Sequence, residues 1–405
     1  MIVADALLVL AAAVLAILGA AGVLSEWLHY RRAGAAPPPF PGTPPSVSIL
    51  KPCKGEDPDL FENLSSWARL EGGGAPVEVL IGVADPGDPA VEVARRVARE
   101  HPGRVRLVIA GPAADPAVNP KVHNLVALER EATGEVLVVA DSNVRAPPDA
   151  LERLLRPLAD PGVSATFSLF RSPVGPDAPP ATRLQSAIFS TVVLPAIAGA
   201  YRCFGTANLL GKAMLVRRSA LRELGGWASY ARVLVEDACL GLDLRRRGHR
   251  IALTDGLVEV RLGRMTLHQL WDHEMRWMVL HRVRVPLVPV GMALWNPWLL
   301  AIAAAVASGA GLARAPAALG LSALFTGAIK LVPFLRHGGR PSGAWLLPLV
   351  EALMLALAVG VWLQREVHWR GQRFLLARGS RIAGVRPVGG PGRMMGGMKM
   401  KAERT

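Results

Sequence analysis

The stretch Val136-Leu137-Val138-Val139-Ala140-Asp141-Ser142-Asn143 decides the fold class. Five apolar residues in a row, three of them Val, suit a strand buried on both faces, and such strands belong to parallel sheets covered by helices. Residues 46–51, 78–83 and 105–109 repeat the pattern, and 59–70, 90–100 and 121–131 read as the helices between them. Strands alternating with helices give right-handed βαβ units, hence an α/β domain with a mostly parallel sheet. Ligands of such sheets bind beyond the carboxyl ends of the strands, where Asp141 and the pair Asp85/Asp88 fall. Farther on, 213–216 reads as a strand, 237–246 as a helix ended by Gly248, and 251–254 with 257–261 as a final strand pair.

On either side of this domain the chain turns apolar. Of its 405 residues 51% are hydrophobic and the mean hydropathy is +0.31, high for a wholly soluble protein. Residues 2–24 are almost unbroken Ala, Leu, Val and Ile, with Asp5 the one charge, and as a helix they span roughly 30 Å of hydrocarbon. The basic pair Arg31-Arg32 follows this segment, which favours a retained anchor over 1–30 and puts what comes next on the cytoplasmic side. Residues 31–45 are a Pro-rich linker, and the α/β domain is expected over 46–285. Segments 287–312, 317–335 and 344–363 then make a membrane region over 286–365, in which Lys330 and Glu351 should pair. The basic tail, 366–405, belongs on the cytoplasmic side, so one of the three segments, the Pro-broken 287–297 part, is expected not to cross fully. Beyond Gly384 the composition predicts a lack of structure. Segment 182–201 is apolar but carries Arg183, Gln185 and Pro195, and reads as an interfacial or buried helix on the acceptor side.

Lys and Arg outnumber Asp and Glu by 46 to 32, a net charge of +14. No zinc spacing or recognition helix accompanies that excess, so the expected partner is a lipid bilayer with anionic headgroups and not nucleic acid. Cys53, Cys203 and Cys239 are few, odd in number and without metal-ligand spacing, which indicates a reducing compartment and no disulfide framework.

The chemistry-bearing residues come in order. Asp141, with Asn143 two residues on, offers oxygen ligands for Mg2+ or Mn2+ bridging a diphosphate, although Asp-Ser-Asn after a strand also makes an ordinary turn. Asp85 and Asp88 suit a nucleoside, or else a turn with Asp88 capping the next helix. Asn119, Lys121 and Asn124 open a helix where free amides and a lysine favour an anion; a solvated lysine is the plain alternative. Glu236-Asp237 opens another, whose positive end stabilises a carboxylate, and Asp237 is the candidate general base on an acceptor hydroxyl. His273, Arg276 and Trp277 share one face of a helix over 267–281, with Arg and His as phosphate donors and Trp as an apolar platform.

Taken in order, these residues resemble the ceramide glucosyltransferase family and its bacterial relatives, among them hopanoid-biosynthesis glycosyltransferases, all of glycosyltransferase family 2 type. The resemblance starts at Val47-Ser-Ile-Leu-Lys51-Pro-Cys-Lys54-Gly-Glu-Asp57-Pro and runs through Asp88-Pro-Ala, Asn119-Pro-Lys121-Val-His-Asn124, Asp141-Ser, Glu236-Asp237 and Arg276-Trp277 to Trp369-Arg370-Gly371. It implies a GT-A fold, a nucleotide sugar that is UDP-linked, a divalent metal near Asp141, Lys51 and Lys54 among the substrate-binding residues, and Glu236 beside Asp237, the base of an inverting transfer to a lipid hydroxyl. The bacterial branch implies a multi-pass protein of a bacterial inner membrane. Two departures stand out: His273 stands where the closing motif has Gln or Arg, and Asn143 takes the second place of the Asp-x-Asp pattern.

Three functions compete. The first is transfer of one sugar to a membrane lipid such as a ceramide or hopanoid polyol. The second is a processive polysaccharide synthase, which shares the carboxylates and the Arg-Trp helix but needs a channel that few apolar segments would build. The third is a non-catalytic membrane scaffold, which has no need of a base beside a metal.

Overall fold

The computed structural model describes residues 1–33, 35, 39–205, 209–337, 339, 341–364, 366–369 and 372–387. Linker positions 36–38, Arg370-Gly371 of the tail motif and the tail beyond 387 lie outside them. Helix α1 (Ile2–Ala33) leads to β1 (Val47–Cys53), α2 (Leu60–Ala68), β2 (Val77–Val83), α3 (Ala90–Glu100), β3 (Val105–Ile109), α4 (Pro120–Glu131), β4 (Val136–Val139), β5 (Val144–Arg145) and α5 (Ala150–Leu155). There follow β6 (Val163–Arg171), α6 (Pro180–Ile188), a π turn over Phe189–Val193, α7 (Leu194–Phe204), β7 (Met214–Arg217), α8 (Arg218–Glu223), α9 (Glu236–Arg246), β8 (Arg250–Val260) and α10 (Leu267–Arg284). The last part holds α11 (Leu287–Leu294), α12 (Pro297–Gly309), α13 (Ala315–Ile329), α14 (Leu331–Arg336), α15 (Leu346–Gly360), β9 (Glu366–Trp369), β10 (Gln372–Leu376) and β11 (Ile382–Pro387).

Among the described residues eight strands form one sheet in the order β3-β2-β1-β4-β7-β6-β8-β5. Pairs β1–β2, β2–β3, β1–β4 and β6–β8 are parallel, while β7 runs antiparallel between β4 and β6. This is the expected α/β fold of GT-A type. All four residues of β4 are fully buried, each worth ~1.5–3 kcal/mol, which fixes the strand whose end presents Asp141.

Two strands differ from expectation. The final strand pair is one strand, β8, which passes through Asp255-Gly256 as a bulge: Phe167 pairs with Leu253 and Leu169 with Leu257, so β8 gains two residues over β6. Strand β6 was not expected at all. Its apolar positions Val163, Ala165, Phe167 and Leu169 alternate with hydroxyl residues that are buried too, because Thr166 Oγ1 donates to Leu154 O at 2.8 Å and Ser168 shares a 2.8 Å bond with Thr254.

Among the described residues four helical stretches are long and apolar enough to cross a membrane: Ile2–Ala33, Pro180–Phe204, Ala315–Arg336 and Pro341–Gly360; α11 and α12, bent by 67°, make a fifth if taken as one span. Their contacts order them. Asp5 accepts from the backbone of Arg314 and Ala315, so the start of α13 lies at the far end of α1. Ala12 packs with Leu300, Ala307, Leu319 and Ala323 in a bundle of α1, α12 and α13. At the other end His337 meets Glu26 at 2.5 Å and Tyr30 at 3.0 Å, and Tyr30 donates to Phe170 O of the sheet domain. Lys330 pairs with Glu351 at 2.6 Å, as expected from the sequence, and Asn296 Nδ2 donates to Glu351 O at 2.8 Å.

The tail also returns to the sheet domain. Strands β9, β10 and β11 form an antiparallel sheet, and Gly384 to Pro387, expected to lack structure, close its third strand. Val233 bridges Arg381, Leu234 N donates to Ser380 O at 3.0 Å, and Ile382 N donates to Arg232 O at 2.8 Å.

Candidate functional site

The site forms where β4 ends and the segment before β7 passes over it. Asp141 N donates to Gly211 O at 3.0 Å, and Gly211 N donates to Asp237 Oδ2 at 2.7 Å, so one residue sets the positions of both carboxylates. The glycine leaves room for the lysine end: a Cβ there would lie 2.4 Å from Lys121 Nζ, 3.3 Å from Asp237 Oδ2 and 3.5 Å from Asp141 Oδ1. Lys121 Nζ sits between two carboxylates, 2.8 Å from Asp141 Oδ1 and 2.7 Å from Glu236 Oε1, and Lys212 Nζ approaches Asp141 Oδ2 at 3.0 Å.

Burial alone would raise the Asp141 carboxyl, but Lys121 and Lys212 hold it well below the usual carboxylate range. Burial disfavours the Lys121 ammonium, yet Asp141, Glu236 and Asp237 together keep it above its ordinary value. Glu236 goes the other way: burial raises it, Asp237 adds to the rise, and Lys121 opposes it. Of the carboxylates on Lys121, Asp141 therefore holds its charge most firmly.

The approach to Glu236-Asp237 is gripped from two sides. Asn119 caps α4 by accepting from Lys121 N at 2.9 Å, and its Nδ2 donates to Val233 O at 2.8 Å and to Glu236 Oε2 at 3.3 Å. Opposite, the tail sheet holds Arg232 to Leu234 by the bonds described above. At the start of α9, Asp237 Oδ1 accepts from Ala238 N at 2.7 Å, as a carboxylate does at a helix N-terminus.

The other expected site residues divide into groups. Lys51 is fully buried beneath the strand end; its Nζ donates to Asp141 O at 2.6 Å and Val144 O at 3.4 Å, and burial lowers it to about 8. Asn124 Nδ2 ties Cys53 O to Gly82 O, at 3.0 and 3.2 Å, across the ends of β1 and β2. Asp88 accepts from Gly55 N and Ala90 N, each at 2.9 Å, and Asp85 from Gly87 N at 2.9 Å, which puts both on the strand-end side of the sheet as loop and helix caps. Lys54 is exposed on the loop after β1. Asn143 Nδ2 donates to Arg261 O at 3.5 Å. His273, Arg276 and Trp277 lie on α10, with His273 in electrostatic reach of Arg276 and of Lys212, which links that helix to Asp141. Gly211 and Lys212 were not singled out from the sequence, Gln185 stood out only as a polar break in segment 182–201, and Glu274 was given no role of its own. A Gly-Lys pair just before a strand was the available signal for the first two.

Among the described residues no group of three or more His, Cys, Asp and Glu is set to hold a metal. The donors at the strand end still suit a hard cation. Asp141 is a firmly ionised carboxylate, Asn143 has an amide oxygen free of its Nδ2 contact, and Mg2+ sites in general use one or two carboxylates with substrate phosphates and water.

The sequence pattern of glycosyl transferase family 21 matches residues 8–382. The chain belongs to that family. Family 21 membership makes it a glycosyltransferase, and two curated relatives are similar at low identity. Ceramide glucosyltransferase 3 of Caenorhabditis elegans is 23% identical over 246 residues, 60% of this chain and 52% of that protein. Ceramide glucosyltransferase 1 of the same organism is 24% identical over 249 residues, 61% of this chain and 51% of that protein. The chain thus spans about half the length of the curated relatives it matches. Among solved structures, a mannosyltransferase from Pyrobaculum calidifontis in complex with GDP-Man and Mn2+ is similar over 88% of this chain and 99% of that one, with 22% identity and a TM-score of 0.49.

Proposed function

We propose that this family 21 enzyme moves one hexose from a nucleotide sugar, UDP-linked, to a hydroxyl of a membrane lipid of ceramide or hopanoid-polyol kind, with inversion. The observation that carries the reading is that Gly211 is hydrogen-bonded to both Asp141 and Asp237, while Lys121 bridges Asp141 to Glu236, the residue before Asp237. Asp141 stands beside two cations, Lys121 and Lys212, that match the charge of a diphosphate, and Asp237 sits at a helix start outside those ion pairs. Asp237 takes the proton of the acceptor hydroxyl as its oxygen bonds to the anomeric carbon and the bond from that carbon to the diphosphate breaks on the opposite face. Lys121 and Lys212 are placed to turn from Asp141 to the departing diphosphate, and Arg276 offers forked donors to the same anion. Asp141 and Asn143 would hold Mg2+ or Mn2+, which when bound neutralises diphosphate charge.

The helix contacts also support a topology. Strands β6 and β7 are paired, so α6 and α7 between them start and end on one side of the bilayer. Helices α13 and α14 together run from the far end of α1 back to Tyr30, and the tail sheet bonds to Arg232–Leu234, so α15 also begins and ends beside the sheet domain. That leaves α1, the bent α11–α12 pair and α13 as crossings, with α6, α7, α10 and α15 as a collar at the interface. The basic pair Arg31-Arg32 supports a cytoplasmic sheet domain.

Membranes containing the protein, incubated with labelled UDP-sugar and extracted with organic solvent, test the reading. A discrete glycolipid is expected. Label in a water-soluble or high-molecular-weight polysaccharide would instead make the protein a processive synthase.

A further inference from the structure

Glu274 is a buried carboxylate with no part in the steps above. Its Oε1 accepts two hydrogen bonds, from Gln185 Nε2 at 2.8 Å and from His273 Nδ1 at 2.9 Å. Gln185 is fully buried on α6, just before the π turn Phe189–Val193, a backbone form that concentrates at functional sites. Phe189 meets the His273 ring edge to face, with centroids 6.3 Å apart. The ring is thus held at one nitrogen and against one aromatic neighbour, while 27% of its side chain stays open.

A carboxylate oxygen accepts hydrogen bonds, so the ring proton sits on Nδ1 and Nε2 of the neutral ring carries a lone pair. Burial lowers the His273 pKa, Arg276 and Lys212 push the same way, and the bond to Glu274 opposes them. The neutral ring is a poor partner for a diphosphate, whose oxygens only accept. The sequence expectation of His273 as a second phosphate donor does not fit this hydrogen bonding. A hydroxyl fits. The nucleophilic hydroxyl, however, has one proton, and that proton goes to Asp237.

We propose that His273 Nε2 accepts a hydrogen bond from a second hydroxyl of the acceptor, which makes the acceptor a lipid polyol, and that Glu274, tethered by Gln185, is the positioning residue that sets the tautomer. This rests on the lipid-transfer reading. The test compares an N-acyl sphingoid base bearing both of its hydroxyls with the analogue lacking the secondary one, in proteoliposomes with UDP-sugar. The unmodified protein should favour the diol at least about tenfold in kcat/KM, the scale of a buried partner left unpaired. His273→Phe should abolish that preference with the donor KM unchanged, and Glu274→Gln should weaken it. His273→Gln, whose side-chain amide can again accept, should restore part of it. Equal use of both lipids by the unmodified protein, or a preference that survives His273→Phe, overturns the proposal while leaving lipid transfer standing. No transfer to any lipid sinks the broader reading and this one with it.

Discussion

The Gly211 amide donates to Asp237 Oδ2 at 2.7 Å, so the segment before β7 fixes the carboxylate at the start of α9. The same residue leaves no room for a methyl group beside Lys121. Gly211→Ala should displace the Lys121 ammonium, the flexible end of a side chain, and leave the fold intact. Turnover should fall at least about tenfold, the scale of a lost hydrogen bond to a charged group at about 1.5–3 kcal/mol. Turnover and thermal melting of the purified variant check this; unchanged turnover would separate Gly211 from the reaction.

Chelation should abolish transfer and added Mg2+ or Mn2+ restore it, because Asp141 is the firmly ionised carboxylate at the strand end. Asp141→Ala should not be rescued by metal. Activity that persists after exhaustive chelation would leave neutralisation of the diphosphate to Lys121, Lys212 and Arg276.

Lys51 predicts a pH dependence of stability. Burial lowers it from 10.5 to about 8, so between those values the unfolded chain binds a proton that the fold has released. Stability therefore gains from this residue as pH rises across that window, by up to ~3 kcal/mol. Melting temperatures from pH 8 to 10 should climb less steeply in Lys51→Met than in the parent. Parallel slopes would show that Lys51 does not titrate there.

Much of this was legible in the sequence, for unequal reasons. Strand β4 and helix α3 are strongly patterned and appear where periodicity puts them. Strand β6 was hidden because Ser164, Thr166 and Ser168 look like loop composition until their hydroxyls find partners in His249 before β8, Leu154 of α5 and Thr254 of β8. The cluster at Asp141 was half visible. Asp141, Lys121 and Asp237 each end a run or open a helix, whereas Gly211 and Lys212 reach the site through chain closure, and a Gly-Lys pair before a strand is too common a pattern to reveal that. Hydropathy alone marked 344–363 as a span; the Tyr30–His337 contact before α15 and the hydrogen bonds of the tail sheet after it bring the two ends of that helix toward the sheet domain.

Topology can be checked by cysteine labelling in sealed vesicles with the three native cysteines replaced. Ala313→Cys, in the exposed turn between α12 and α13, should react from the side opposite the sheet domain, and Ser342→Cys, before α15, from the side of the sheet domain. Both sites reacting from one side would break the proposed order of crossings.

The most direct test of the chemistry is Asp237→Asn, measured for donor affinity and for turnover. The amide keeps the side chain's shape but cannot take the acceptor proton, so nucleotide-sugar binding should stay nearly intact while turnover falls at least about a hundredfold. Turnover within a few-fold of the parent would contradict the assignment of Asp237 as the base.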